Sequence, residues 1–177
     1  FAFFQVFLNK NDEVLIPTPY WVSYPDMTEL AEGTPVFIPS TEQNNFRITA
    51  KDLEAKITPK TKLLILNSPS NPTGSMYSKE ELKALAEVLK KNPHVFVMCD
   101  DIYNRLVFLP EGLAPHLLHV APELKDRVLM INGGSKTYSM TGWRIGWAIG
   151  PKEIISTMTK YQSQSVSCAA SFVQRGA

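Results

Sequence analysis

The run Val95-Phe-Val-Met-Cys99 is the strongest constraint on the fold. It is apolar at every position and leads straight into two carboxylates, Asp100 and Asp101. A run that is apolar on both alternating faces suits a strand covered on both sides, as in a parallel sheet. Lys62-Leu-Leu-Ile-Leu66 and Val128-Leu-Met-Ile131 share this character. A helical pattern lies between the first two runs. Ser78-Lys-Glu-Glu81 has the spacing of a capping box, and Leu82, Leu85, Ala86 and Leu89 then line one helix face. Lys79, Lys83, Glu87 and Lys91 line the opposite, solvated face, and Asn92-Pro93 ends the helix. Strands alternating with helices predict an α/β fold: a mainly parallel sheet with helices on both faces, in three layers.

The flanking segments extend this pattern. Phe1 to Leu8 reads as an apolar helix, Glu13 to Ile16 as a short strand, and the stretch after Tyr20 as a helix to about Ala31, stopped at Gly33. Thr34 to Ile38 is a strand whose prolines suit an edge or a strand start. Thr49-Ala-Lys-Asp52 opens a further helix, and another is placed near His116 to Ala121. Trp143, Ile145, Trp147 and Ile149 alternate with Arg144, Gly146, Ala148 and Gly150, which predicts a strand with one bulky apolar face. A long final helix is predicted from Pro151 through Ile154, Ile155, Met158 and Tyr161.

Bulk properties narrow the function classes. A net charge of +1 gives no electrostatic footprint for nucleic acid. No apolar run approaches a membrane span, and there is no secretory pattern. Cys99 and Cys168 form no metal-ligand motif, and His116 and His119 read as a surface pair. A reducing, cytoplasmic setting is the default expectation. The chain opens at Phe1 in an apolar helix and ends inside a helical pattern, so it reads as an internal piece of a longer protein.

Ligands of open α/β sheets gather at the carboxyl ends of the strands. Three predicted strands end in candidate groups: the loop Asn67-Ser-Pro-Ser-Asn-Pro-Thr-Gly74, Asp100, and Ser135-Lys136. An amine buried near cations loses its proton readily and forms Schiff bases with carbonyls, which makes Lys136 a candidate for covalent chemistry. Arg144, flanked by small residues, suits an anionic group. A carboxylate at the end of so apolar a strand is costly unless paired, so Asp100 serves either a ligand or a helix N-cap. Tyr103 shares its side if a helical turn starts at Asp100. Asn71-Pro-Thr-Gly74 alone signals a turn, and Trp21 alone suits core packing.

Taken together these segments resemble a known family. Ser135-Lys136-Thr137 with Met140-Thr-Gly-Trp-Arg-Ile-Gly146 resembles the cofactor-lysine segment of class I/II aminotransferases, the fold type I enzymes that use pyridoxal 5'-phosphate. Asp100-Asp-Ile-Tyr103 resembles the family's Asp-Glu-Ile-Tyr element, with Asp101 in place of the usual Glu. The resemblance implies that Lys136 holds the cofactor as a Schiff base and that Asp100 pairs with the pyridine nitrogen. Asn71 and Tyr103 would bind the phenolic oxygen, Ser135 and Arg144 the phosphate, and Trp21 would stack on the ring. Lys136, Asp100 and Tyr103 are thus the implied catalytic groups. No metal is implied.

The resemblance further implies amino transfer between an L-amino acid, aspartate among the candidates, and a 2-oxo acid. Residues 1–150 would be an N-terminally incomplete cofactor-binding large domain. Residues 151–177 would start a long helix towards a C-terminal small domain. A second phosphate-binding loop, the substrate-carboxylate arginine and residues borrowed from the partner of a homodimer would lie outside this chain, leaving the isolated piece inactive. A carbon–sulfur lyase of the same fold type and an aminotransferase-like ligand-sensing domain are the competing readings.

Overall fold

The computed structural model describes residues 1–177. Six strands form one sheet: β1 (Glu13–Pro17), β2 (Thr34–Ile38), β3 (Thr61–Asn67), β4 (Phe96–Asp100), β5 (Val128–Gly133) and β6 (Gly146–Ile149). Their order is β2-β1-β3-β4-β5-β6. All neighbours pair in parallel except β5 and β6, which run antiparallel. The expected mainly parallel sheet is present, and Thr34–Ile38 does occupy an edge.

Strand alternation divides the core into two layers. Leu15, Leu64, Leu66, Val97 and Cys99 point to one face. There they meet α3 (Ala50–Glu54), α4 (Lys79–Lys91) and α5 (Leu117–Val120) through Leu53, Leu82, Leu85, Leu89 and Leu117. Val14, Ile16, Leu63, Ile65, Phe96, Met98 and Leu129 point to the other. That face is covered by α1 (Ala2–Phe7), α2 (Ser23–Leu30) and α7 (Lys152–Ser165), with Phe3, Phe4, Tyr24, Ile154, Ile155 and Met158 in contact. Burying both faces is what the unbroken apolar runs demand.

Local signals fix the helix starts. The Ser78 hydroxyl accepts from the Glu81 N–H at 3.1 Å, and the Glu81 carboxylate accepts from the Ser78 N–H at 2.7 Å, completing the capping box of α4. Thr49 and Asp52 do the same for α3. At the other end of α4, Arg127 donates to the carbonyls of Leu89 at 2.7 Å, Asn92 at 3.1 Å and Val95 at 2.8 Å. This cation satisfies acceptors that a helix terminus leaves orphaned. Burial lowers the Arg127 pKa, since the charged form loses water.

Three sequence expectations need correction. The last strand is shorter than the alternation predicted. Thr141–Trp143 is a single 3-10 turn, Arg144 takes φ of 52°, and pairing begins only at Gly146. The left-handed residue interrupts the extended backbone, so the period-two pattern does not describe one continuous face. The final helix forms through Tyr161 as expected, but it does not run on to residue 177. α7 ends at Ser165, and α8 (Ser171–Gly176) follows after an irregular link. Ser167 sits at φ of 62°, a conformation no right-handed helix accommodates. His116, expected on the surface, is largely enclosed instead, with Nε2 3.2 Å from Asp101 Oδ2.

Candidate active site

The chain runs from β1 out to β2, then crosses back to place β3 on the other side of β1. Such a reversal opens a crevice at the carboxyl ends of the two strands, the usual ligand position in open α/β sheets. The segments leaving β1, β3, β4 and β5 all border a cleft there of about 320 Å3. Trp21, Asn71, Asp100, Tyr103, Ser135, Lys136 and Arg144 all line this cleft, joined by Tyr24, Asn67, Ile102, Ile131 and Thr141. Residues drawn from distant parts of the sequence thus meet in one place.

Register explains the floor of the cleft. Asn67, Asp100 and Ile131 stand side by side as paired positions on β3, β4 and β5. The Asn67 side-chain amide donates to the Asp100 carbonyl at 2.8 Å, and its oxygen accepts from the Asn71 N–H at 2.8 Å. Asn67 therefore ties the loop carrying Asn71 to the strand end carrying Asp100. The Asn71–Pro72 bond is cis, as are Ser68–Pro69 and Thr18–Pro19.

The Asp100 carboxylate is braced from below. Tyr24 donates its hydroxyl to Oδ2 at 2.7 Å, and the Ile102 N–H donates to Oδ1 at 3.3 Å. Burial raises the Asp100 pKa, opposed by these two bonds and assisted by the neighbouring charge of Asp101. Burial and the facing Asp100 charge push the Tyr24 hydroxyl far above the ordinary tyrosine range, so it remains a donor. A carboxylate in this position is stabilised as an anion by a cation placed on its cleft side.

Trp21 is 40% exposed and meets Tyr24 edge-on, with ring centroids 5.4 Å apart. The indole is therefore only partly covered, rather than enclosed in the core. Ser135 and Lys136 sit on α6 (Gly134–Thr137), a single turn directly after β5. The Lys136 ammonium lies 5.7 Å from the centre of the Tyr103 ring. Lys136 is exposed, unlike the buried amine expected from sequence, because its turn stands at the open rim of the sheet. Arg144 is also exposed, and its Nη1 donates to the Thr141 carbonyl at 2.9 Å. Its place at the cleft comes from the left-handed turn, not from a strand face.

Two glycines let the backbone close around this rim. A Cβ at Gly146 would stand 2.9 Å from the Asn132 carbonyl oxygen, and one at Gly133 would stand 2.9 Å from the Ile145 carbonyl oxygen. These close approaches allow β6 to pair with β5 directly beside α6.

Sequence reasoning missed Tyr24 and Asn67 as members of the site. Both had a signal. Tyr24 lies a helical turn from Trp21, so the two share a face, and Asn67 ends its strand as Asp100 ends the next. No group of three or more His, Cys, Asp or Glu side chains could hold a metal ion.

The donor set suits pyridoxal phosphate. It combines an amine for a carbonyl, a braced carboxylate in need of a cation, an exposed aromatic plate, and an arginine with a serine for an anion.

Comparison with known proteins agrees with this reading. A probable aspartate/prephenate aminotransferase of Rickettsia bellii is 57% identical over 172 residues, which are 97% of this chain and 43% of that protein. An aspartate aminotransferase of Geobacillus stearothermophilus is 51% identical, covering all of this chain and 44% of its own length. Among solved structures, an aspartate aminotransferase from Rhizobium meliloti superposes with a TM-score of 0.94 at 46% identity. The match covers 98% of this chain and 43% of that one. The chain therefore spans less than half the length of these relatives. The family description "Aminotransferase class I and II" matches residues 1–177, from end to end, and the chain belongs to that family.

Proposed function

We propose that this chain carries the cofactor-binding part of a pyridoxal-phosphate-dependent aminotransferase that moves an amino group between an L-amino acid and a 2-oxo acid. Aspartate is the proposed amino donor, in line with the activities named for the Geobacillus and Rickettsia relatives. Those names favour transfer over the elimination and ligand-sensing readings. The observation that carries the proposal is the meeting of Lys136, Asp100, Tyr103, Asn71, Ser135, Arg144 and Trp21 around one cleft.

When bound, pyridoxal phosphate supplies an aldehyde that condenses with amines and a ring that withdraws electrons. In this reading Lys136 holds the cofactor covalently through Nζ. As a free amine the same Nζ would take the proton from the substrate Cα and deliver it to the cofactor carbon that carries the amino nitrogen, so that Cα is left as the carbonyl carbon of the 2-oxo acid. The Asp100 carboxylate pairs with the protonated ring nitrogen, and Tyr24 keeps that carboxylate ionised by donating to Oδ2. Tyr103 and Asn71 bind the phenolic oxygen, and Asn67 fixes the Asn71 backbone. Ser135 and Arg144 would hold the phosphate, the one with a hydroxyl and the other with a guanidinium. Trp21, partly exposed at the cleft, would stack on the ring.

Residues 1–150 form the large cofactor-binding domain in this proposal, and 151–177 lead towards a further domain. The remaining phosphate and substrate contacts come from segments of the longer protein outside this chain, joined by residues of the partner in a homodimer. A cytoplasmic setting accords with two unpaired cysteines, and no helix is long and apolar enough to cross a membrane.

Borohydride reduction of the full-length protein with pyridoxal phosphate, followed by peptide mass mapping, tests the assignment. The expected product is a phosphopyridoxyl group on Lys136. Labelling at another lysine would refute the site.

A further inference from the structure

The segment Asp101 to Arg105 carries Tyr103 to the cleft, yet it lies outside any helix or strand. A group that must meet a ligand to within a fraction of an ångström needs supports beyond its own loop. The backbone supplies some. The Asp101 N–H donates to the Ile131 carbonyl at 2.8 Å, the Asn104 N–H to the Asp101 carbonyl at 2.9 Å, and the Ala114 N–H to the Asn104 carbonyl at 2.8 Å. The Asn132 side-chain amide adds a bond to the Asn104 side chain at 3.2 Å.

One support is of a different kind. Asp101 is 7% exposed and does not line the cleft. Its carboxylate faces His116, with Oδ2 3.2 Å from Nε2. The imidazole is oriented by α5: its Nδ1 accepts from the Leu118 N–H at 3.0 Å, so a neutral ring carries its proton on Nε2. The contact is out of line for a hydrogen bond, and Nε2 has no hydrogen-bond partner. The Nε2–H end of the imidazole nevertheless faces the carboxylate at 3.2 Å, so the contact between the two side chains is electrostatic. A buried carboxylate left without such a partner is strongly disfavoured. Asp101 adjoins Asp100 and His116 caps α5, so the contact joins the end of β4 to a helix on the sheet face.

We propose that Asp101 and His116 are positioning residues: their contact clamps the Asp101–Arg105 segment against α5 and so sets where Tyr103 meets Lys136 and the cofactor. This rests on the cofactor reading above. It predicts that loosening the pair displaces the Tyr103 hydroxyl without removing any group that touches substrate.

The test compares the wild-type full-length protein with Asp101→Asn, His116→Gln, Tyr103→Phe and the double variant Asp101→Asn/Tyr103→Phe. Amide hydrogen exchange without cofactor reads the segment directly. Faster exchange in residues 102–105 is expected for Asp101→Asn and His116→Gln, with α4 unchanged as an internal control. With pyridoxal phosphate, Tyr103→Phe is expected to move the pH midpoint of the visible band. Asp101→Asn and His116→Gln should move it part of the way in the same direction, and the double variant no further than Tyr103→Phe alone. A fall in kcat of roughly ten-fold with KM nearly unchanged should accompany this, on the scale at which small misplacements cost rate. Wild-type exchange at residues 102–105, or a lowered melting temperature with wild-type midpoint and kcat, would overturn the proposal. A wild-type protein with no visible band refutes the cofactor reading instead, and the exchange result alone then decides the clamp.

Discussion

Tyr24→Phe removes a single oxygen from beneath the site and keeps the ring that packs into the core. Tyr24 is 3% exposed and belongs to the apolar cluster with Phe3, Phe4 and Ile16, so phenylalanine leaves no large cavity. What disappears is the 2.7 Å bond to Asp100 Oδ2. A hydrogen bond to a charged group is worth about 1.5–3 kcal/mol. That bond holds the Asp100 pKa down against burial, so its loss raises the pKa further above the ordinary carboxylate range. The sign with pH follows from linkage. Burial already raises the Asp100 pKa in the folded state, so folding gains from its protonation at low pH. That gain is lost as pH rises from the unfolded carboxyl value of about 3.9 through the higher folded value. Tyr24→Phe raises the folded value further and deepens the loss. Denaturant unfolding of the protein without cofactor should therefore show destabilisation of about 1.5–3 kcal/mol at pH 7, shrinking towards pH 4 as Asp100 binds its proton. A penalty of equal size at both pH values would assign the effect to packing. No penalty at pH 7 would show that Tyr24 does not stabilise the Asp100 charge.

Arg127→Met keeps the aliphatic stem but strips the donors from the Leu89, Asn92 and Val95 carbonyls, and should cost about 2 kcal/mol in denaturant unfolding. Unchanged stability would remove this cap from the account of α4. Gly146→Ala should cost about 1–3 kcal/mol, because its Cβ would stand 2.9 Å from the Asn132 backbone oxygen and β6 must shift to admit it. Amide exchange at Gly134, whose N–H donates to the Ile145 carbonyl at 3.3 Å, is the finer readout, and protection equal to wild type would contradict the close approach. Lys136→Ala, at an exposed position, should change stability by no more than about 0.5 kcal/mol while abolishing covalent capture of pyridoxal phosphate by borohydride. Retained capture at one specific residue would move the anchor elsewhere.

Much of this protein was legible in its chain because the signals are local. The apolar runs at 62–66, 95–99 and 128–131 declare strands buried on both faces, and no other layer arrangement covers them. Ser78 with Glu81 and Thr49 with Asp52 announce their helices, since a cap needs only residues three apart. The strand ends placed Asn71, Asp100 and Lys136 on the same side of the sheet, and the family resemblance supplied their roles.

Tertiary structure decided the rest, because those facts depend on distances between segments that local pattern does not encode. Tyr24 reads as one more aromatic of a helix until the fold sets its hydroxyl against Asp100, 76 positions away. Asn67 reads as part of a turn until sheet register pairs it with Asp100. The period of two through Trp143 to Ile149 is real in the sequence, yet the left-handed backbone at Arg144 breaks the strand and turns the arginine to the cleft. His116 carries no mark of burial in its own segment. Only the packing of α5 against the end of β4 gives it Asp101 as a partner. The sequence thus determined which elements exist and where their ends lie. The fold determined which polar groups satisfy one another, since a buried charge is settled by whatever neighbour the packing brings.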